Sequence, residues 1–571
     1  MFVIVLLSLA IQNSLSSSNE VERGLNWWSG GVLYQIYPRS FKDSNGDGVG
    51  DLPGIISKLE HIRDIGADAL WLSPIYPSPQ EDSGYDISNF TDIDEQYGTL
   101  EDFDDLVAKA RSLDLKVLLD FVPNHSSYKH PWFQKSINRI KPYDDYYVWK
   151  DAKLSPSGER QPPNNWLSRF GSSAWEWNEK RQQYYYHAFA IGQPDFNFRN
   201  PRLKQEMDEV LSFWMKRGVD GFRVDAVDWL FEVEDLRDEP LSRNNVPSNQ
   251  YDFLDHRYTI DLDDNYEVVG SWRKLMDNFV QEYHTNGKPL IIEAHLPTFR
   301  KMKYFEVGGI PFNFNFVYSL NRNSTAPEFK QLIDDWLNAL PDGEVANTPW
   351  VIGNHDYRRV ASRYGKDGNR ADQIVMLAMI LPGIAVVYNG DEIGMVDTPL
   401  TYEQTLDPQG CYAGREDYLT ESRDPARTPY QWDDTTSAGF SSNSSTWLPV
   451  NKNYRILNLA SQKQSQRSHY ELFKSLSSLK NFPVLQRGST RVLLASDNVL
   501  AVIRQLDGQE TVLLMINFSD ESVQVDARSL LDIPEALHVY TSSVGSGIEK
   551  GLPVNSTKLT IPGAASIVLI Q

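Results

Sequence analysis

The chain has 571 residues, 41% of them hydrophobic and 23% charged. That is enough for one large core with a smaller companion, and too apolar for a disordered chain. A formal net charge of -22 argues against nucleic acid or an anionic membrane as partner and leaves a neutral substrate unpenalised, while the single cysteine, Cys411, excludes an intrachain disulfide.

At the N-terminus, residues 2–11 form a short apolar run followed by small polar residues. This reads as a secretory signal, residues 1–18, too short to span a bilayer comfortably. The expected product is a secreted, extracellular protein with no membrane span. Asn-x-Ser/Thr acceptors at Asn89, Asn323, Asn443, Asn517 and Asn555 fit glycosylation along that route. Asn124 also fits the pattern but stands among the site residues below and is set aside.

From residue 31 short apolar strands alternate with helical segments. Strands are predicted at 31–37, 69–74, 116–122, 219–225, 289–293, 312–318, 349–353 and 384–388. A helix opened by Asp51 carries Ile55, Ile56, Leu59, Ile62 and Ile65 on one face, and a second runs from Leu100 to Leu113. Eight such units predict an α/β fold, a parallel (β/α)8 TIM barrel over 25–125 and 189–487. Residues 126–188, rich in Trp, Tyr, Pro and Asn without a helical period, predict a subdomain inserted after strand three. A polar, acidic excursion follows at 229 to about 270. Turn-punctuated apolar runs over 488–571 predict an all-β sandwich.

In Gly-Phe-Arg-Val-Asp-Ala (221–226) the strand period sends Arg223 and Asp225 to one face, where opposite charge keeps the carboxylate ionised and suits it to act as a nucleophile. The ends of the other barrel strands supply Asp120 and His125, Glu293, and His355 with Asp356. Three carboxylates, Asp225, Glu293 and Asp356, thus converge on one rim.

At these residues the chain resembles glycoside hydrolase family 13. Asp-Phe-Val-Pro-Asn-His (120–125), Gly-Phe-Arg-Val-Asp-Ala, Ile-Glu-Ala-His (292–295) and Gly-Asn-His-Asp (353–356) are similar to its four signature regions. Gln-Pro-Asp-Phe-Asn (193–197) is similar to the fifth, in the form of the oligo-1,6-glucosidase and α-glucosidase subgroup. Gly-Tyr-Asp (84–86), Ala-Arg-Thr-Pro-Tyr-Gln-Trp (426–432) and Tyr-Asn-Gly-Asp-Glu-Ile-Gly-Met (388–395) extend the resemblance over residues 27–571, most of all to secreted insect α-glucosidases.

The resemblance implies a retaining, exo-acting α-glucosidase. Asp225 is then the nucleophile that carries a covalent glucosyl unit, Glu293 the general acid and base, and Asp356 the grip on the sugar hydroxyls. A retaining reaction needs nucleophile and acid about 5 to 5.5 Å apart. Arg223 is expected to lower Asp225 while Glu293 stays protonated. Tyr85, Asp86, His125 and His355 would bind the cleaved glucose, and Arg427, rather than Arg423, would close that subsite over Asp86. Ala226, small where enzymes cutting α-1,6 bonds carry Val, points to maltose, maltooligosaccharides and sucrose over isomaltose. His187, His256 and His295 read as packing or surface residues.

In the loop 43–51, oxygen-bearing residues alternate as in the first part of an EF-hand, but Gly54 stands where the closing Glu belongs. Because similar family loops hold a structural calcium, the resemblance implies Ca2+ on the side chains of Asp43, Asn45, Asp47 and Asp51 and the carbonyl of Val49. The expected partner is a small sugar, with neither nucleic acid nor a membrane involved; monomer and homodimer stay open. Two alternatives remain. One is a transglucosidase or sucrose isomerase with the same residues. The other is a catalytically silent receptor or transporter-associated ectodomain, which should have lost one of the three carboxylates.

Overall fold

The first strand, Val32–Ile36 (β1), sends Val32, Tyr34 and Ile36 outward to the helix layer and Leu33 inward, the two-residue period of a pleated strand. The computed structural model describes residues 25–365, 369–530 and 533–571, so the signal segment 1–18 lies outside them. Seven further strands follow: Ala69–Leu72 (β2), Lys116–Phe121 (β3), Gly221–Val224 (β4), Leu290–Ile292 (β5), Ile310–Pro311 (β6), Pro349–Val351 (β7) and Ile384–Tyr388 (β8). They pair in parallel in the order β6-β5-β4-β3-β2-β1-β8-β7. Asn313 joins the two ends: its N–H donates to the Pro349 carbonyl at 3.2 Å and its carbonyl accepts from Val351 at 3.1 Å. The fold is the (β/α)8 barrel of the sequence reading.

Leu33, Ala69, Trp71, Leu118, Ile291, Val351, Ile384 and Val386 fill the barrel interior, so this is a packed core and not a pore. The outer faces bury against amphipathic helices, among them Leu100–Ser112, Pro201–Lys216, Asp264–Tyr283 and Ala326–Ala339. Leu100–Ser112 starts sharply because Thr99 and Asp102 form a reciprocal capping box.

Two elements differ from expectation. The sixth strand is only Ile310–Pro311, and the stretch predicted as strand 312–318 winds instead into a π-helix, Asn315–Ser319. Phe312 and Phe314 keep the inward alternation of a strand, but after them the next inward residue is Val317 while Phe316 packs outward, so the period of two ends at Phe314. The first helix breaks into Leu52–Ile56 and Leu59–Asp64 at Lys58, whose φ of -116° and ψ of 1° leave the helical region.

Between β3 and β4 the chain forms the helix Pro131–Ile137 and a three-stranded antiparallel sheet of Trp149–Lys150, Trp175–Asn178 and Gln183–Tyr186. The excursion after β4 is strapped to this insertion. Trp166 donates to the Arg237 carbonyl at 2.9 Å, and Asn165 bonds Glu239 at 2.8 Å through both its amide and its carbonyl. Together they wall one side of the barrel mouth.

After Ser489 a six-stranded antiparallel sheet and the pair Val523–Val525 with Leu559–Ile561 enclose a second apolar core. This sandwich sits on the barrel helices through Arg504, whose guanidinium donates to the carbonyls of Ile380, Leu485 and Gly488. Among the described residues no helix is long and apolar enough to cross a membrane.

Candidate active site

Along the strands the inward row is apolar at the base and turns polar at the C-terminal end. On β3 Leu118 is followed by Asp120, on β4 Arg223 is followed by Asp225 just past the strand, and after β5 comes Glu293. The pairing register sets Asp120 beside Arg223 on the neighbouring strand. Arg223, 1% exposed, therefore holds three carboxylates at once. Nη1 lies 2.7 Å from Asp225 and 3.0 Å from Asp120, and Nη2 lies 2.6 Å from Glu293. The Trp71 ring lies 5.1 Å from the guanidinium, and the Tyr85 hydroxyl donates to Asp120 at 2.8 Å. One buried cation thus sets the spacing of Asp225 and Glu293.

The turn after Asp225 is strained. Ala226 has a φ of 44° and a ψ of 41°, a left-handed conformation worth about 1–3 kcal/mol for a residue other than glycine. The turn aims the Ala226 N–H at Glu293 Oε2, 3.3 Å away, and so ties the end of β4 to the end of β5.

Protonation departs from the sequence expectation. Burial is the largest influence on Asp225 and raises it well above the usual carboxylate range, and the nearby Arg223 does not reverse this. Burial also raises Glu293, but Arg223, His295 and the Ala226 amide outweigh it and hold the carboxyl well below its usual value. The physical reason is that one guanidinium is shared among three carboxylates, and Glu293 has the additional donors. The surroundings thus push the two carboxyls apart, Asp225 up and Glu293 down.

Asp356, past β7, completes the triangle. Burial raises it, while His355, Arg423 and Arg427 bring it down to about 2. Arg427 lies 2.9 Å and Arg423 3.3 Å from its Oδ1. His355 is sandwiched between the rings of Tyr37 and Tyr85, at 5.5 and 5.2 Å, and its Nδ1 pairs with Gln35 at 2.8 Å. His125 pairs with Gln193 at 3.0 Å. Burial lowers His355 to about 3 and His125 to about 4, so both are neutral imidazoles at neutral pH. Tyr85, His125, Asp225, Glu293, His355 and Asp356 all line one cavity of about 270 Å³. A wall of Phe170, Phe189, Trp229 and Tyr357 flanks it.

The α-amylase catalytic-domain family matches residues 35–488. The chain belongs to the α-amylase family, glycoside hydrolase family 13, and is a glycosidase. It is 49% identical to Maltase 1 of Drosophila virilis, over 92% of this chain and 84% of that protein. It is 46% identical to the alpha-glucosidase of Apis mellifera, over 91% of this chain and 90% of that one. Its fold superposes on the α-glucosyl transfer enzyme XgtA with a TM-score of 0.84, at 34% identity, covering 96% of this chain and 99% of that one.

Several expectations need correcting in this α-amylase-family glycosidase. Asp86 does not line the cavity: its oxygens accept from the Ser78 hydroxyl at 2.8 Å and from the amides of Glu81 and Asp82 at 3.0 Å each. Left-handed Ser83 and Gly84, with φ of 52° and 103°, turn the loop so that Asp82 faces the cavity instead. Its partner is Arg423, 2.7 Å away, which also grips Asp407 at 2.5 Å. The ion pair expected between Arg427 and Asp86 is replaced by Arg427 on Asp356 and on the His355 carbonyl at 2.7 Å. His295, read as packing or surface, lines the cavity beside Glu293. Its place two residues after Glu293 was the available signal.

Among the acceptor asparagines, Asn89, Asn323 and Asn555 are exposed and Asn443 half-buried. Asn517 is fully buried and gives its amide to the carbonyls of Glu521, Ile561 and Pro562, so a glycan has no room there. In the 43–51 loop the donors are all oxygen, the chemistry a hard cation takes. Those oxygens are turned onto the loop itself. Asp43 accepts from the amides of Gly46 and Gly48, Asn45 from Asp47, Asp47 from Val49, and Asp51 from Ser44 and Gly54. Among the described residues no three carboxyl, imidazole or thiol side chains gather as a metal shell.

Proposed function

We propose that the chain is a retaining, exo-acting α-glucosidase that removes terminal α-1,4-linked glucose from maltose, maltooligosaccharides and sucrose. The observation that carries this reading is the closed end of the cavity. Arg423 bridges Asp82, Asp407 and Asp356 there, and this barrier supports entry of a terminal glucosyl unit rather than a threaded chain.

In this reading the glucosyl ring lies on the Tyr85 ring, with its hydroxyls bonded by Asp82, Arg423, His125, His355 and Asp356. Asp225 attacks the anomeric carbon on the face opposite the glycosidic oxygen, and the bond to that oxygen breaks as the bond to Asp225 forms. Glu293, protonated in the sugar complex, delivers its proton to the leaving oxygen. Asp225, held by Arg223 together with Asp120, is the carboxylate that forms the glucosyl ester. Glu293 then deprotonates the attacking water.

The test is incubation with maltose, sucrose and isomaltose, reading rate and product anomer. Fast release of α-glucose from maltose and sucrose, with little from isomaltose, is expected; β-glucose as first product sinks the retaining mechanism. A second reading, transfer of glucose to a sugar acceptor, draws support from the likeness to the α-glucosyl transfer enzyme and from the aromatic wall at the mouth. Disaccharide products in the same incubation would favour it. A silent ectodomain is disfavoured because all three carboxylates are in place.

Secretion and glycans on Asn89, Asn323 and Asn555 belong to the same reading, as does a calcium ion in the 43–51 loop. The ion would share the oxygens of Asp43, Asn45, Asp47, Val49 and Asp51 and brace the loop without entering the chemistry. A metal present at 100 times its Kd adds about 2.7 kcal/mol of stability. Chelation should therefore lower Tm and calcium restore it; a metal-free protein with unchanged Tm removes the ion from the account.

A further inference from the structure

Glu293 is held from two sides. Its Oε2 meets Arg223 Nη2 at 2.6 Å and the Ala226 N–H at 3.3 Å, while its Oε1 faces His295 Nε2 at 3.5 Å. The imidazole is itself fixed. Its ring stacks on Phe314 with centroids 5.2 Å apart and planes 7° from parallel, Tyr318 lies 6.2 Å away, and its backbone N–H donates to buried Asp228 at 3.1 Å. Tyr318 belongs to the π-helix that interrupts the sixth barrel unit and Phe314 immediately precedes it; short π segments are frequent at functional sites. The ring is nonetheless 41% exposed, and that exposed face lines the cavity.

We propose that His295 is a positioning residue for Glu293: anchored on Phe314 and Asp228, it holds Oε1 toward the side of the cavity where the leaving sugar departs. A glutamate has three side-chain torsions, and Arg223 fixes only one oxygen. A second donor on the outer oxygen sets the carboxyl plane, and proton delivery to a glycosidic oxygen depends on that plane. Burial and Arg223 alone would leave the acid drawn toward the base of the cavity. The inference rests on the acid role given to Glu293 above.

The test compares two substrates through kcat/KM, which reports the steps up to leaving-group release. Maltose leaves as an alkoxide that needs a proton, whereas 4-nitrophenyl α-glucoside leaves as a phenolate that does not. In His295→Phe, which keeps the stack and loses the N–H, kcat/KM for maltose should fall roughly 10-fold or more while that for the nitrophenyl substrate stays within about twofold. His295→Gln, which returns an N–H at the same reach, should recover most of the loss. Equal losses on both substrates, an undiminished maltose rate, or a glutamine variant as impaired as the phenylalanine one would each overturn the proposal. If His295→Phe does not fold, His295→Ala carries the same comparison. Wild-type protein inactive on both substrates would instead overturn the α-glucosidase reading itself.

Discussion

Asp225→Asn is expected to abolish maltose hydrolysis, lowering kcat roughly 10⁴-fold or more, with the fold intact. The amide keeps the shape of the carboxyl but cannot attack an anomeric carbon. Stability should not suffer, because Arg223 retains Asp120 at 3.0 Å and Glu293 at 2.6 Å, so no buried cation is left unpaired. Removing one of three carboxylates crowded on one guanidinium also relieves repulsion, and the thermal midpoint should equal or exceed that of wild type. The measurements are steady-state kinetics on maltose and a thermal melt on the same preparation. A variant that folds and retains wild-type turnover would show that another group carries the glucosyl unit.

Glu293→Gln should separate the two halves of the reaction. On maltose the loss is about 10²- to 10⁴-fold, the usual contribution of a positioned proton donor. On 4-nitrophenyl α-glucoside the first half needs no proton, so about one equivalent of nitrophenol should appear in a burst. Turnover then slows, because water attacking the glucosyl ester lacks its base. Azide, a nucleophile that needs no base, should restore turnover. Rapid-quench or stopped-flow detection of the burst checks this. Equal loss on both substrates with no burst would take the acid-base role away from Glu293.

The barrel, its order and the three carboxylates were legible because each rests on a short-range rule. Strand alternation places Arg223 and Asp225 on one face whatever surrounds them, and the (β/α)8 pattern sends strand ends to one rim. Loop geometry obeys no such period. Asp82 and Asp86 flank the same Gly-Tyr pair, and only two consecutive left-handed residues decide that Asp82 faces the cavity while Asp86 fastens the loop behind it. Arg423 and Arg427 sit one helical turn apart, and the choice between them depends on Asp407 and Asp356, which arrive from distant parts of the chain. The stretch 312–318 misled for the opposite reason: its alternation was real as far as Phe314, and only the packing of Phe316 outward and Val317 inward shows where the strand period stops.

Protonation was the least legible property of all. Residue neighbours along β4 suggested an arginine devoted to Asp225. The fold instead brings Asp120 and Glu293 to the same guanidinium from the strands on either side and buries the group, so desolvation outweighs the local pairing on Asp225. Sequence periodicity thus settles which side chains reach the rim, because that depends on backbone geometry a few residues long. Which of them share a charge, which line the cavity and which merely hold a loop depends on distances between segments far apart in the chain, and those exist only after the barrel has closed.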